Sequence, residues 1–324
     1  MADNSSFDPH HVDLDSASQA DVICYLHQGG NDYNGRMGAR ISALFVILVV
    51  SSAATVFPVL ATRIPRLRVP VYAYLFARYF GSGVIIATAF IHLLGPAYAE
   101  IGPASCVGLT GGRYGRAPAA VEDIITDVPV GRGDANEPKK DNRKDIEELT
   151  NISQDSEATE RAFHSQIAAF LILEFGVIFH SVIIGLNLGV AGDEFSTLYP
   201  VLVFHQSFEG LGIGARLSVI PFPARRRWMP WALCLAYGLT TPISIAIGLG
   251  LHSTYNGASY TASVVSGVLD SISAGILIYT GLVEMLARDF IFNPNRTDSK
   301  KRLALMLVSL YLGAAIMALL GKWA

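Results

Sequence analysis

The chain has 324 residues, 51% hydrophobic and only 16% charged, with a formal net charge of −3. A soluble domain usually carries about a quarter charged residues, so this composition excludes a water-soluble globule. The slight negative charge, with basic residues confined between apolar runs, gives no support to a nucleic-acid partner.

The apolar residues are gathered into runs long enough to cross a bilayer, which takes roughly 20 residues of helix. Helices and closed barrels alone satisfy their backbone groups in hydrocarbon. The expected fold class is therefore all-α, a polytopic transmembrane helix bundle. It opens with residues 1–39, a polar, acidic tail (MADNSSFDPHHVDLDSASQ) without the basic start and short apolar core of a signal peptide. His10, His11 and His27 in this tail read as solvated side chains. The first two spans fall within 40–100, in the runs 40–62 and 71–98. Residues 101–162 form a variable hydrophilic loop, charged and flexible from Gly131 onward. Five further spans occupy 163–324, in the runs 163–190, 198–220, 228–251, 261–287 and 302–321.

Basic residues accumulate on the cytoplasmic side of short membrane loops. Arg63, Arg66 and Arg68 follow the first run, Arg225, Arg226 and Arg227 the fourth, and Arg296, Lys300, Lys301 and Arg302 precede the last. The loops AGDEFST (191–197) and HSTYNGASY (252–260) carry no Lys or Arg. Calling the basic loops cytoplasmic puts the N-terminus outside and ends the second run outside. The third run, however, must begin inside, so residues 101–160 need another crossing, and no apolar stretch there is long enough. Either a helix has been lost or part of the chain inserts the other way round, and a lost third helix is the expectation. Both termini are exterior if that helix is present.

The spans repeat internally. GVIIATAFIHLL (83–94) aligns without gaps to GILIYTGLVEML (275–286), pairing Thr88 with Thr280 and His92 with Glu284. HSVIIGLNLG (180–189) aligns with HQSFEGLGIG (205–214). Under this topology the members of each pair run in opposite directions, and inverted repeats framing a midplane site are a recurring transporter plan.

Ionisable residues inside hydrocarbon are functional candidates by default. His205 and Glu209 are one helical turn apart and share a face. Imidazole nitrogen with carboxylate oxygen suits a divalent first-row metal. His180 and Ser181 lie mid-span in the preceding helix, which a tight loop would set antiparallel, bringing His180 opposite His205. Gln206 sits beside His205 as a pore-lining candidate. Glu174 lies on the Ser181 stripe, nearer the cytoplasm, as an exit residue or an interfacial ion pair. His92 and Glu284, near helix ends, read as a relay or as anchors. Asp270 reads as a helix-entry or packing carboxylate rather than a ligand. Gly185, Gly189, Gly210, Gly212 and Gly214 have the small-residue spacing that lets helices approach closely, and are expected to draw the two His-bearing helices together. Thr240, Thr241 and Pro242 mark a packed kink. The three cysteines (Cys24, Cys106 and Cys234) have no metal-binding spacing, although Cys24 and Cys106 can pair if both are exterior.

GVIIATAFIHLL, LEFGVIFHSVIIGLNLG, FHQSFEGLGIGARL, TTPISIAIG, SISAGILIYTGLVEMLARDF and MALLGKWA together resemble the ZIP (Zrt/Irt-like) metal-ion transporters of the fungal and plant branch. The resemblance covers roughly 40–100 and 163–324. It implies an eight-helix fold in which the second, fourth, fifth and seventh helices surround a metal path, against seven spans here. It also implies that His180, His205 and Glu209 line the transport site with Ser181 beside them. His92 matches the family's histidine of the second helix and Glu174 its carboxylate before the His-Ser pair. Many members of other branches have a glutamate four residues after the fourth helix's histidine. Here that position is Ile184, so one ion per cycle is expected. The loop lacks the family's His-rich tract, its only histidine being His164 at the edge of the next span.

The implied cargo is Zn2+, with Fe2+ or Mn2+ as alternatives, carried into the cytosol as substrate rather than held as a prosthetic group. The partners are then that divalent ion and the lipid bilayer, with a homodimer left open, and the plasma membrane is the expected location. An intramembrane zinc hydrolase using His92, His180, Ser181, His205 and Asp270 is the competing reading. A retinal pump is excluded because none of the six lysines is mid-span, and no phosphate-binding loop ends in Lys-Ser or Lys-Thr.

Overall fold

A tight turn opens the described part of the chain. Gly35 and Arg36 have φ of 85° and 51°, the left-handed region that glycine enters without steric cost, and they lead into α1 (Met37–Arg63). The computed structural model describes residues 33–64, 70–102, 105, 107, 147–257, 259–292 and 299–323. The N-terminal tail with its histidines, Cys24, Cys106 and most of the 101–146 segment lie outside the described residues.

Six further helices follow: α2 (Val71–Ile101), α3 (Glu147–Val190), α4 (Phe195–Ser218), α5 (Met229–Gly250), α6 (Tyr260–Phe292) and α7 (Lys300–Leu320). No strand occurs among the described residues. By length and composition six stretches can cross a membrane: Met37–Arg63, Val71–Ile101, Phe163–Val190, Ala224–Gly250, Tyr260–Phe292 and Lys300–Leu320. The exception, α4, spans 24 residues, about 36 Å at 1.5 Å per residue. Its mean hydropathy is held down by His205, Gln206 and Glu209, all buried. The hydrophilic loop also departs from expectation, because α3 begins at Glu147, well before its apolar part. EELTNISQDSEATER contains no Gly or Pro, so a helix nucleated in the span extends through it without a breaker.

The helix ends sort onto two sides. On one, Arg63 donates to the Arg227 carbonyl at 3.3 Å, the Phe163 and Phe222 rings lie 5.5 Å apart, and Arg78 pairs with Asp289 at 2.7 Å. On the other, Asn34 donates to Asp193 at 2.9 Å and Tyr255 to Asn187 at 3.1 Å. Ile101, the last residue of α2, packs by Gly267 near the start of α6, on this second side. Since α3 reaches Phe163 on the first side, α2 ends and the apolar part of α3 begins on opposite sides, the same mismatch that the charge bias raises.

Two local features fix the bundle. Arg40 is fully buried and caps the end of α3, donating to the carbonyls of Leu188 and Gly189 at 3.0 Å each and to that of Ala191. Those carbonyls would otherwise be orphaned where the helix stops. Its guanidinium also lies over the Tyr33 and Phe195 rings, 4.6 and 4.7 Å from their centroids. The glycines supply the close crossings, but between other helices than expected. Gly185 and Gly189 of α3 meet Ser244 and Gly248 of α5, Gly210 and Gly214 of α4 meet Thr55 of α1, and Gly212 meets Gly81 of α2. They therefore press α3 and α4 against third helices rather than against each other. The side chains needed at the α3–α4 seam, His180 and His205, leave no room there for backbone contact.

The repeat has a structural counterpart. Helix α2 switches to π-helical winding over Thr88–Leu94 and α6 over Thr280–Phe292. The two switches begin at the aligned threonines of helices that run in opposite directions.

A Cβ on Gly81 would overlap the Gly212 backbone, whereas one on lipid-facing Gly275 would meet nothing within 4 Å. Gly81→Ala is therefore expected to destabilise the detergent-solubilised protein by about 1–3 kcal/mol, the usual cost of overpacking. Gly275→Ala is expected to be neutral or to stabilise by up to about 1 kcal/mol. Thermal unfolding followed by tryptophan fluorescence checks the contrast, and equal midpoints would contradict the crossing.

Candidate metal centre

His180 and His205 each lie ten residues from the neighbouring helix end, Val190 and Phe195 respectively. Ten residues of helix rise about 15 Å, half of a hydrocarbon core of about 30 Å. The short turn between α3 and α4 sets the two histidines at equal depth on antiparallel helices, with ring centroids 5.5 Å apart. Glu209, one turn beyond His205, places Oε1 3.2 Å from His205 Nε2. One ligand atom from each of His180, His205 and Glu209 lies within 4.8 Å of the other two. Zinc binds nitrogen at about 2.0–2.1 Å and carboxylate oxygen at about 2.0–2.2 Å, so tetrahedral ligand atoms stand about 3.4 Å apart, and side-chain shifts of up to about 1 Å would close this set on one ion. All three residues are 1–2% exposed, and His180 Nε2, His205 Nε2 and Glu209 Oε2 have no hydrogen-bond partner. Buried polar atoms are ordinarily satisfied. Buried nitrogen and oxygen atoms without partners, on residues gathered at mid-depth, have the chemistry that suits a cation.

The surroundings orient this set. Thr88, at the first position of the α2 π segment, donates to Glu209 Oε1 at 3.0 Å. His92, within the same segment and 7% exposed, stands edge-on to His205 with centroids 4.7 Å apart. It is thus a neighbour of the site rather than an anchor near a helix end, and its Nε2 lies 3.1 Å from the Met317 carbonyl of α7. The Tyr237 hydroxyl lies 2.9 Å from both the Gln206 carbonyl and Gln206 Oε1. That contact turns the Gln206 amide nitrogen towards Ser181 Oγ, 3.4 Å away. Asp270, read from sequence as a packing carboxylate, is 3% exposed with Oδ1 3.9 Å from His180 Nδ1.

Two candidates stand apart. Glu174 is buried with both carboxylate oxygens unpartnered, but it does not share the donor cluster. Glu284 bonds Arg288 at 3.2 Å and lines a separate cavity of about 490 Å³ with Arg78, Ser82, Arg216 and Asp289. Gly212 also lines this cavity, so it opens one turn from Glu209, towards the side that carries Arg63 and Arg227. Sequence reasoning missed Thr88 and Tyr237. Thr88 had a signal in its alignment with Thr280, whereas Tyr237 had none.

The sequence matches the model of the ZIP zinc transporter family over residues 37–121 and 112–321. The chain belongs to the ZIP zinc transporter family. It is 53% identical to zinc-regulated transporter 1 of Saccharomyces cerevisiae, covering 98% of this chain and 97% of the relative. It is 37% identical to zinc-regulated transporter 1 of Schizosaccharomyces pombe (97% and 92% covered) and 33% identical to zinc transporter 3 of Arabidopsis thaliana (91% and 88% covered). The first of these alignments runs over 365 positions, so at least 41 of them face a gap in this 324-residue ZIP chain. No solved structure matches it.

Thr88→Val keeps the shape and removes the hydroxyl that holds Glu209. A hydrogen bond to a charged group contributes about 1.5–3 kcal/mol, and the expected outcome is a zinc Kd raised about tenfold in calorimetric titration of the purified protein, with Thr88→Ser close to wild type. Unchanged affinity in Thr88→Val would show that the bond does not serve the site.

Proposed function

We propose that this ZIP-family protein carries zinc across the membrane into the cytosol through the His180–His205–Glu209 site. The observation that carries the proposal is the convergence of two imidazoles and one carboxylate, buried and each with an atom that makes no hydrogen bond, from two antiparallel helices at mid-depth. Three protein ligands leave positions open to water, which suits an ion that has to leave again. Ser181 and Gln206 flank the site and His92 stands against His205, offering oxygen and nitrogen along the path. Glu174 lies on the same helix as His180, towards the side with the basic residues, and is assigned to the exit. Zinc is the cargo named for the curated relatives, and nitrogen and carboxylate donors also bind iron and manganese.

The side carrying Arg63, Arg78, Arg216 and Arg227 is taken as cytoplasmic, which directs transport towards the 490 Å³ cavity. Both termini are then exterior if the third helix is present, the plasma membrane is the proposed location, and a homodimer is compatible with the fold. The gap of at least 41 positions against the yeast relative is long enough for one span of roughly 20 residues and its connections, in keeping with a lost third helix. A zinc hydrolase is the weaker reading. Its Ser181 meets the Gln206 amide rather than a base, and the matched relatives are named as transporters.

His205→Ala and Glu209→Ala are each expected to abolish radiolabelled zinc uptake in cells lacking their own importer, with membrane insertion intact. Normal uptake by the double variant would refute the site. Run beside them, a chain with a third helix restored is expected to take up zinc faster than the chain as it stands, and equal rates would show that the crossing is not needed.

A further inference from the structure

Asp270 is a carboxylate on α6, 3% exposed, with its Oδ1 3.9 Å from His180 Nδ1. That oxygen has no hydrogen-bond partner, nor has Nε2 on the other side of the same imidazole. Filling space between helices does not call for a carboxylate. Burying an unpaired one costs several kcal/mol, and an uncharged side chain of the same volume would avoid that cost.

An imidazole can bind a cation through one nitrogen only when that nitrogen carries a lone pair, which leaves the proton on the other. Metal-binding histidines ordinarily give that proton to a carboxylate, which fixes both the tautomer and the ring orientation. At 3.9 Å the His180–Asp270 contact is longer than a hydrogen bond, and about 1 Å of closure would make it one. The free lone pair then sits on Nε2, the atom that lacks a partner.

We propose that Asp270 is a positioning residue for the transport site: it accepts a hydrogen bond from His180 Nδ1–H and thereby presents His180 Nε2 to the ion. The proposal rests on His180 being a zinc ligand. It also ties α6 to the site, since α6 carries Asp270 ten residues before its π-helical segment begins at Thr280.

The test is calorimetric zinc titration of the full chain in detergent. Removing the outer partner of a metal-binding histidine typically weakens binding 10–100-fold. Asp270→Asn, which keeps the volume and drops the charge, is expected to raise the zinc Kd at least tenfold, and Asp270→Glu to restore most of the affinity. In a His180→Ala background, where His205 and Glu209 remain, Asp270→Asn is expected to add less than a twofold change. Wild-type affinity in Asp270→Asn would overturn the proposal. So would an equal loss with and without His180, which would mean that Asp270 acts independently of the ring, or an Asp270→Glu protein as weak as Asp270→Asn. If Asp270→Asn does not elute as a folded protein, Asp270→Ser carries the same comparison. Parallel titrations of His205→Ala and Glu209→Ala separate the two levels. Unchanged affinity there refutes the site itself, whereas lost affinity there with normal binding by Asp270→Asn refutes only the role of Asp270.

Discussion

Hydrocarbon supplies no hydrogen bonds, so every polar group carried into it must meet a partner from the protein or from an ion. The core of this bundle is organised around that constraint. His180, His205 and Glu209 are almost wholly withdrawn from the surface, yet His180 Nε2 and Glu209 Oε2 make no hydrogen bond and His205 Nε2 has only the Glu209 carboxylate beside it, at 3.2 Å. Thr88 donates to the other oxygen of Glu209, His92 stands edge-on to His205, and Asp270 lies 3.9 Å from His180 Nδ1. A zinc ion would complete them.

Helix α4 is where this demand is concentrated. It carries His205, Gln206 and Glu209 on its buried surface and three glycines in the next turn. Those glycines allow α1 and α2 to close on it at backbone contact, through Thr55 and Gly81. A helix too polar to be stable against lipid is thus sheathed by its neighbours. Gly212, which packs on Gly81, also lines the arginine-lined cavity, so a close helix crossing stands beside it, three residues from Glu209.

The two π-helical segments give the repeat a physical meaning. Wider winding changes which side chains face inward and weakens the backbone ladder, and such segments occur often at functional sites. In α2 the segment brings Thr88 and His92 to the metal-ligand cluster, while in α6 the equivalent segment sets Glu284 against Arg288 in the cavity. The same local device thus lies beside the ligand cluster in one helix and beside the cavity in the other.

Much of this was legible from the chain alone, for definable reasons. Span number and position follow from the length of apolar runs, the pairing of His180 with His205 from a short loop between two such runs, and the mismatch between the end of α2 and the start of the apolar part of α3 from the distribution of arginines. Contacts between helices distant in sequence carry no such signal. Composition could not show that Gly185 and Gly189 pack on α5 while Gly210 and Gly214 pack on α1, because glycine spacing marks a close crossing without naming its partner. Nor could it show that Asp270 faces His180 rather than a helix end, or that Glu284 is drawn into an arginine pair instead of joining His92. The sequence by itself determined the solvent, the helices and the ligand types, since these depend on local hydrophobicity and chemistry. Only the tertiary structure decided which carboxylates meet the imidazoles, since that depends on how helices from opposite ends of the chain rotate against one another.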